Sequence, residues 1–216
     1  MDTREIGIVV FDVGGVLIRI CRTWAEGCAA AGLPVREPAT HPDQVAARRV
    51  VHRLYEQGLI ACDECFRRLA AATGGVYAPE EVRRIHDAWL LDEYIGVDEL
   101  VRGLKEARIP VGLLSNSNHA HWSRVAPGGR GEFPTPALAD HAHASHLLRL
   151  SKPDDRMFRR FEHLSGFSGA QVLYFDDLND NVEAARARGW RGYRVDPLGD
   201  TALQMGRVLG ELGMLV

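Results

Sequence analysis

IVVFDVGGVLIRI, residues 8 to 20, decides the fold: an apolar run that delivers one acid, Asp12, into a glycine turn. A continuous apolar stretch of this length, closed by Gly14 and Gly15, suits a strand covered on both faces. A carboxylate at the end of such a strand is costly unless hydrogen bonds, a cation or a chemical task offset its desolvation. Asp12 is therefore the candidate nucleophile. Three later segments supply partners for it: GLLSNSN at 112 to 118, SKPD at 151 to 154 and VLYFDDLNDN at 172 to 181. Two of these repeat the order of apolar strand and then polar residues, so in a parallel sheet their polar ends meet along one carboxyl edge.

Working outward, residues from Gly96 onward alternate between helical and strand patterns: VDELVRGLKEA, IPVGLLS, DDRMFRRFEHLSG, AQVLYFDD, NDNVEAARARG and WRGYRV. Such alternation predicts an α/β fold, a doubly wound parallel sheet with helices on both faces. Before it lie RTWAEGCAAAG, DQVAARRVVHRLYEQG, CDECFRRLAAATGG and PEEVRRIHDAWLL, each with apolar positions at helical spacing. The expected organisation is a core of residues 1–17 and 95–216, interrupted by a helical cap at 18–94. An insert placed directly after the loop of the nucleophile sits above the crevice. PGGRGEFPTP (127–136) reads as an exposed loop.

The 216 residues, 46% of them hydrophobic, suffice for a real core, and a net charge of −3 offers no basic excess for nucleic acid or an anionic membrane. A small molecule is the expected partner. The apolar run near the start stops at Asp12, unlike a signal peptide or a membrane span, so a cytoplasmic location is expected.

The set of motifs resembles the haloacid dehalogenase (HAD) superfamily of aspartyl-phosphate hydrolases. Asp12 matches that family's nucleophile, Ser115 its second motif, Lys152 its third, and Asp176 with Asp177 its fourth, in the right order along nearly the whole chain. SNSN, the KPD turn and GFSGAQVLYFDDLNDNVEAA are similar to the bacterial branch of α-D-glucose-1-phosphate phosphatase. The resemblance implies a Rossmann-like core, a cap that selects substrates, and a magnesium-dependent phosphatase acting on a small phosphate ester, with a sugar phosphate as the first candidate. Asp12, Asp177, Asp176 and the backbone carbonyl of Gly14 would be the metal ligands, and hard oxygen donors are what magnesium prefers. Asn181 would orient the carboxylates. Ser115 and Asn116 would hold phosphate oxygens, and Lys152 would stand between phosphate and Asp12. Taken singly, DDLND is also a helix-capping string, Lys152 an ordinary lysine and SNSN a strand-end turn.

One departure stands out. The active phosphatases of that family usually carry an aspartate two residues beyond the nucleophile, where this chain has Gly14, as the sugar-phosphatase branch also does. A leaving group that needs little help, such as the hemiacetal oxygen of a sugar 1-phosphate, is one answer; His119 or His121 as substitute acids is another, with surface histidines the preferred reading of both. Two further functions fit the loss: a silent phosphate-binding or regulatory protein of the same fold, and a haloacid dehalogenase, although the latter has no use for an acid pair. Phosphomutase chemistry relies on the missing acid. Cys62 and Cys65 form a CxxC that reads as reduced packing cysteines on one helix, and His141, His143 and His146 do not converge at strand period. Arg48, Arg49 and Arg53 read as a solvated cap face.

Overall fold

The structure, a computed structural model, describes residues 6–214. A five-stranded sheet runs in the order β5-β4-β1-β6-β7, all neighbours parallel. Its strands are β1 (Ile8–Phe11), β4 (Val111–Ser115), β5 (His141–Ala144), β6 (Val172–Asp176) and β7 (Arg191–Arg194). Chain order steps outward from β1 to β4 and β5, then returns to the other side of β1 with β6 and β7. β1 is thus the switch point, the place where an open parallel sheet leaves a crevice at its carboxyl edge. Phe11, Ser115 and Asp176 end the three central strands on that edge.

Alternation along the strands sorts the core into two layers. Val9, Phe11, Val111, Leu113, Leu173 and Phe175 pack on one face with α5 (Val97–Glu106) and α10 (Thr201–Glu211). Ile8, Val10, Leu114, Val172 and Tyr174 face the other way, onto Met157, Phe158 and Phe161 of α8 (Asp155–Ser165) and Ala185 of α9 (Asn179–Ala187). The short helix α7 (Ser145–Leu148) follows β5 directly, and α6 (His119–Val125) follows the SNSN turn.

A third cluster belongs to α1 (Trp24–Ala30), α2 (Pro42–Glu56), α3 (Cys62–Ala71) and α4 (Pro79–Asp87), which pack Cys28, Val51, Tyr55, Cys65, Phe66, Leu69, Tyr77 and Ile85 together. The helices expected between residues 18 and 94 are present, with one correction. The string AWLL does not extend α4: the helix ends at Asp87, and β3 (Leu90–Glu93) pairs antiparallel with β2 (Ile18–Ile20). The ribbon they form is the two-way passage between sheet and helices. The far end of α2 is also fastened to the core, because the Ser145 hydroxyl lies 2.5 Å from the Glu56 carbonyl oxygen and accepts the Ser117 N–H at 2.9 Å.

Other expectations fall in place or need amendment. Gly128 to Glu132 are exposed, but Phe133 in the same stretch is buried beneath Arg124, 5.6 Å from its ring. Arg48 is not on a solvated face; it is 5% exposed, donates to the Ala39 carbonyl at 2.6 Å and lies over Trp24. Cys65 is fully buried, and Cys62 sits 2.9 Å from the Tyr55 hydroxyl. His141 and His143 meet aromatic rings, Phe167 and Phe161. Among the described residues no helix is long and apolar enough to cross a membrane.

Phe161 fills the layer beneath β4 and meets Trp190 at 5.4 Å. Phe161→Ala is expected to cost about 3–5 kcal/mol of stability, the usual figure for emptying a buried aromatic site. Urea denaturation by tryptophan fluorescence measures it.

Candidate active site

β1 aims Asp12 at the crevice, and the Asp12 amide is pinned by donating to the Phe175 carbonyl at 2.8 Å, so β6 sets where the acid lies. The Asp12 carboxylate accepts the Val13 amide at 2.7 Å. Lys152 reaches in from the SKPD turn with 1% of its side chain exposed. Its ammonium is 3.0 Å from Asp12 Oδ1, 2.7 Å from Asp176 Oδ2, 2.7 Å from the Leu114 carbonyl and 3.0 Å from the Tyr174 hydroxyl. One lysine therefore bridges the ends of β1, β4 and β6. Its backbone is held by Asn116, whose side-chain amide donates to the Lys152 carbonyl at 2.9 Å and whose oxygen accepts the Lys152 amide at 2.8 Å. That commitment takes the Asn116 side chain away from phosphate and leaves its backbone N–H.

Asp176 is fully buried, and both of its oxygens accept hydrogen bonds. It accepts from Asn181 Nδ2 at 3.0 Å and from the Leu178 amide at 2.8 Å, and the Tyr174 hydroxyl donates to it. Asp177 is paired with a different cation, its Oδ2 at 2.7 Å from Arg22 Nη1. Gly15 makes room for that pair: it has φ +81°, and a Cβ there would lie 2.4 Å from Arg22 Nη2 and 2.7 Å from Asp177 Oδ2. At Gly14 a side chain would press on Ile20, with a Cβ 3.2 Å from its Cδ1.

Asp12, Asp176 and Asp177 offer oxygens that all lie within 4.8 Å of one another. Against these carboxylates stand the cations Lys152 and Arg22, so the cluster is one positive charge short. The electrostatics record the deficit. Burial pushes the Asp12 carboxyl up to about 7; Lys152 draws it back, while Asp176 and Asp177 push with burial. Asp176, against the desolvation of its own burial, is held below the ordinary aspartate range by Lys152, with Tyr174 helping. Burial would lower Lys152, but Asp12 and Asp176 outweigh it and raise it. A divalent ion fits this donor set: hard oxygens, converging, with uncompensated negative charge. Asp12, Asp176 and Asp177 are the side chains that would hold it.

Two cavities open beside the cluster. One, of about 250 Å³, has Val13, Gly14, Ser115 and Asn116 on its floor and Trp24, Leu69, Ile85 and Trp89 in its wall. The other, about 530 Å³, runs past Lys152 beneath Arg49, Arg53 and Arg149. His52, Glu56 and Asn116 line both. His119 is exposed, as expected of a surface histidine. His121 is not: it lines the first cavity, stacks on His86 at 3.8 Å, and its Nε2 lies 2.7 Å from the His86 carbonyl oxygen. Burial drives the His121 pKa well below 6.5, so it is neutral.

Of the residues that sequence reasoning brought together, Asp12, Lys152, Asp176, Asp177 and Asn181 form the buried cluster, and Ser115 and Asn116 line the cavity beside it. It missed Arg22, Tyr174 and Glu56. Tyr174 was within reach, since it stands two residues before Asp176 and a strand places such residues on one face. Arg22 and Glu56 come from the ribbon's end and the end of α2, and no local pattern marks them.

Comparison with known proteins follows the same lines. A family model described as a haloacid dehalogenase-like hydrolase matches residues 6–189. Phosphatase MT3486 of Mycobacterium tuberculosis (strain CDC 1551 / Oshkosh) is 33% identical over 119 residues, 52% of this chain and 52% of that protein. The (S)-2-haloacid dehalogenase of Pseudomonas putida is 25% identical over 131 residues, 60% of this chain and 56% of that one. The chain thus spans about half the length of the curated relatives it matches. A HAD family enzyme, bt-2542, from Bacteroides thetaiotaomicron shares the fold, with a TM-score of 0.75 at 20% identity over 93% of this chain and 98% of that one. That enzyme has also been solved in complex with magnesium and inorganic phosphate (TM-score 0.66, 20% identity, 90% and 96% covered).

A carboxyl whose folded pKa exceeds its unfolded value weakens the fold as pH rises; for Asp12 the penalty is absent below about pH 4 and complete above about pH 7. In metal-free protein, Asp12→Asn is therefore expected to be more stable than wild type by a few kcal/mol at pH 8, with the gap closing at pH 4. Urea titrations in the presence of a chelator at the two pH values check this.

Proposed function

Since the chain belongs to the haloacid dehalogenase-like hydrolase family, we propose that it is a magnesium-dependent phosphatase acting on a small phosphorylated metabolite. The observation that carries this reading is the buried cluster of Asp12, Asp176 and Asp177, one positive charge short, with the Lys152 ammonium 3.0 Å from Asp12. A magnesium ion there would supply the missing charge and a Lewis acid for the phosphate oxygens.

The chain's own residues do the rest. Asp12 is the nucleophile: its free oxygen attacks phosphorus in line, the bond to the ester oxygen breaks, and an aspartyl phosphate is left on Asp12. Ser115 and the backbone N–H of Asn116 hold the phosphate oxygens, and Lys152 favours the ionised form of Asp12 and cancels charge as the phosphoryl group arrives. Asn181 and Tyr174 fix Asp176 so that it does not turn away. Water then cleaves the aspartyl phosphate. α1 to α4, fastened over the crevice at the ribbon and at Ser145, serve as the cap that closes off water and chooses the substrate.

The finer reading is a sugar phosphate, in line with the motifs similar to α-D-glucose-1-phosphate phosphatase, and the sugar would sit in the cavity beneath α2 and α4. A second reading, halide displacement from a 2-haloacid, is favoured by the Pseudomonas relative. It leaves the acid pair without a task, since an alkyl ester on Asp12 needs no cation.

Phosphate release from a panel of esters is expected to require magnesium and to fall below about a thousandth of the wild-type rate in Asp12→Asn, the scale of losing a nucleophile. Hexose 1-phosphates should turn over faster than hexose 6-phosphates. Metal-independent halide release from 2-chloropropionate, without phosphatase activity, would favour the dehalogenase instead.

A further inference from the structure

We propose that Glu56, at the last turn of α2, is the general acid and base of the site. This rests on the phosphatase reading above and adds the proton donor that reading lacks. When the phosphorus–oxygen bond breaks, the electron pair stays on the ester oxygen, and an unassisted alkoxide is a poor leaving group. Asp12 is occupied as nucleophile. Asp176 is engaged by Lys152, Tyr174 and Asn181, and Asp177 by Arg22. The donor must stand across the cavity from this cluster, and Gly14 has no side chain to offer.

Four titratable groups line the cavity whose floor is Gly14, Ser115 and Asn116: His52, Glu56, His86 and His121. His121 spends Nε2 on the His86 carbonyl. His86 is stacked beneath it and shut in by Tyr55 and Phe66. Burial lowers all three histidines, His52 to about 4, so none carries a proton to give at neutral pH. Glu56 differs in kind. With His52 and Asn116 it lines both cavities, where the apolar chamber and the Lys152 cleft join, and of those three it alone is a carboxyl group. Burial, with Asp12 adding to it and Arg53 opposing, pushes its carboxyl up to about 7, which leaves it protonated for part of the time near neutrality. The Ser145 hydroxyl donates to the Glu56 backbone carbonyl at 2.5 Å, which ties this end of α2 to the core beside the cavity.

The proton balance closes. As Asp12 attacks phosphorus, the Glu56 carboxyl passes its proton to the departing ester oxygen, which leaves as the alcohol, and Glu56 becomes a carboxylate. That carboxylate takes a proton from water as the water oxygen attacks the phosphorus of the aspartyl phosphate. The bond to Asp12 breaks, inorganic phosphate leaves, and both carboxyls return to their starting states.

The test uses the full chain with magnesium and two esters, p-nitrophenyl phosphate, whose leaving group needs no proton, and 2-phenylethyl phosphate, whose leaving group does. With Glu56→Gln, the aryl ester is expected to give a burst of about one equivalent of p-nitrophenol per chain, then a steady rate lowered roughly 10²- to 10⁴-fold, because water attack lacks its base. The alkyl ester should lose a similar factor with no burst. Steady rates within about threefold of wild type on both esters would overturn the proposal, as would loss of the burst in a variant that melts at the wild-type temperature. If Glu56→Gln melts lower, Glu56→Asp decides: steady rates on both esters above those of Glu56→Gln support the role, and rates no higher than those of Glu56→Gln overturn it. A wild type that releases phosphate from neither ester, and from no other in the panel, defeats the phosphatase reading itself.

Discussion

The Lys152 ammonium is the interaction on which the rest of this structure depends. Two central strands, β1 and β6, both end in carboxylates at positions closed to solvent, and side by side those charges would drive the edge apart. Lys152 meets both at hydrogen-bond distance and also takes the Leu114 carbonyl. Removing it would leave uncompensated buried charges rather than a mere gap. Asn116 in turn fixes the Lys152 backbone, so the turn after β4 and the turn before α8 behave as one unit.

That bridge is incomplete by design of its charges. Lys152 satisfies Asp176 and only partly satisfies Asp12, whose carboxyl remains pushed up to about 7. A site with unmet negative charge at the switch point of a parallel sheet is poised for a cation, and through the cation for an anionic group such as phosphate. Arg22 has a related part. It holds Asp177 from the base of the ribbon, so any shift of α1 to α4 relative to the sheet is felt at one of the carboxylates.

Much of this was legible in the residues. The strands read correctly because β1, β4 and β6 are covered on both faces and therefore appear as unbroken apolar runs ended by polar residues. The acids were legible because they stand at or just beyond such ends, whereas Lys152, in the turn before α8, and Asn181, in α9, were legible through the motifs that carry the resemblance. AWLL misled because helix and strand share apolar residues over so short a span; what decides it is the pairing of Leu90 and Glu93 with residues seventy positions earlier, a tertiary fact. His121 was misplaced for a similar reason: a histidine after SNSN reads as loop, yet α6 turns it under α4. Arg22 and Glu56 lie at hinges, where neither periodicity nor capping chemistry marks a side chain, and only the folded arrangement shows what they face.

Magnesium binding tests the central claim most directly. Isothermal titration of wild type and Asp177→Asn near pH 7 is predicted to show one magnesium ion per chain, held at least roughly tenfold more weakly by the variant. No binding to wild type, or an affinity untouched by the substitution, would contradict a carboxylate cluster built one positive charge short.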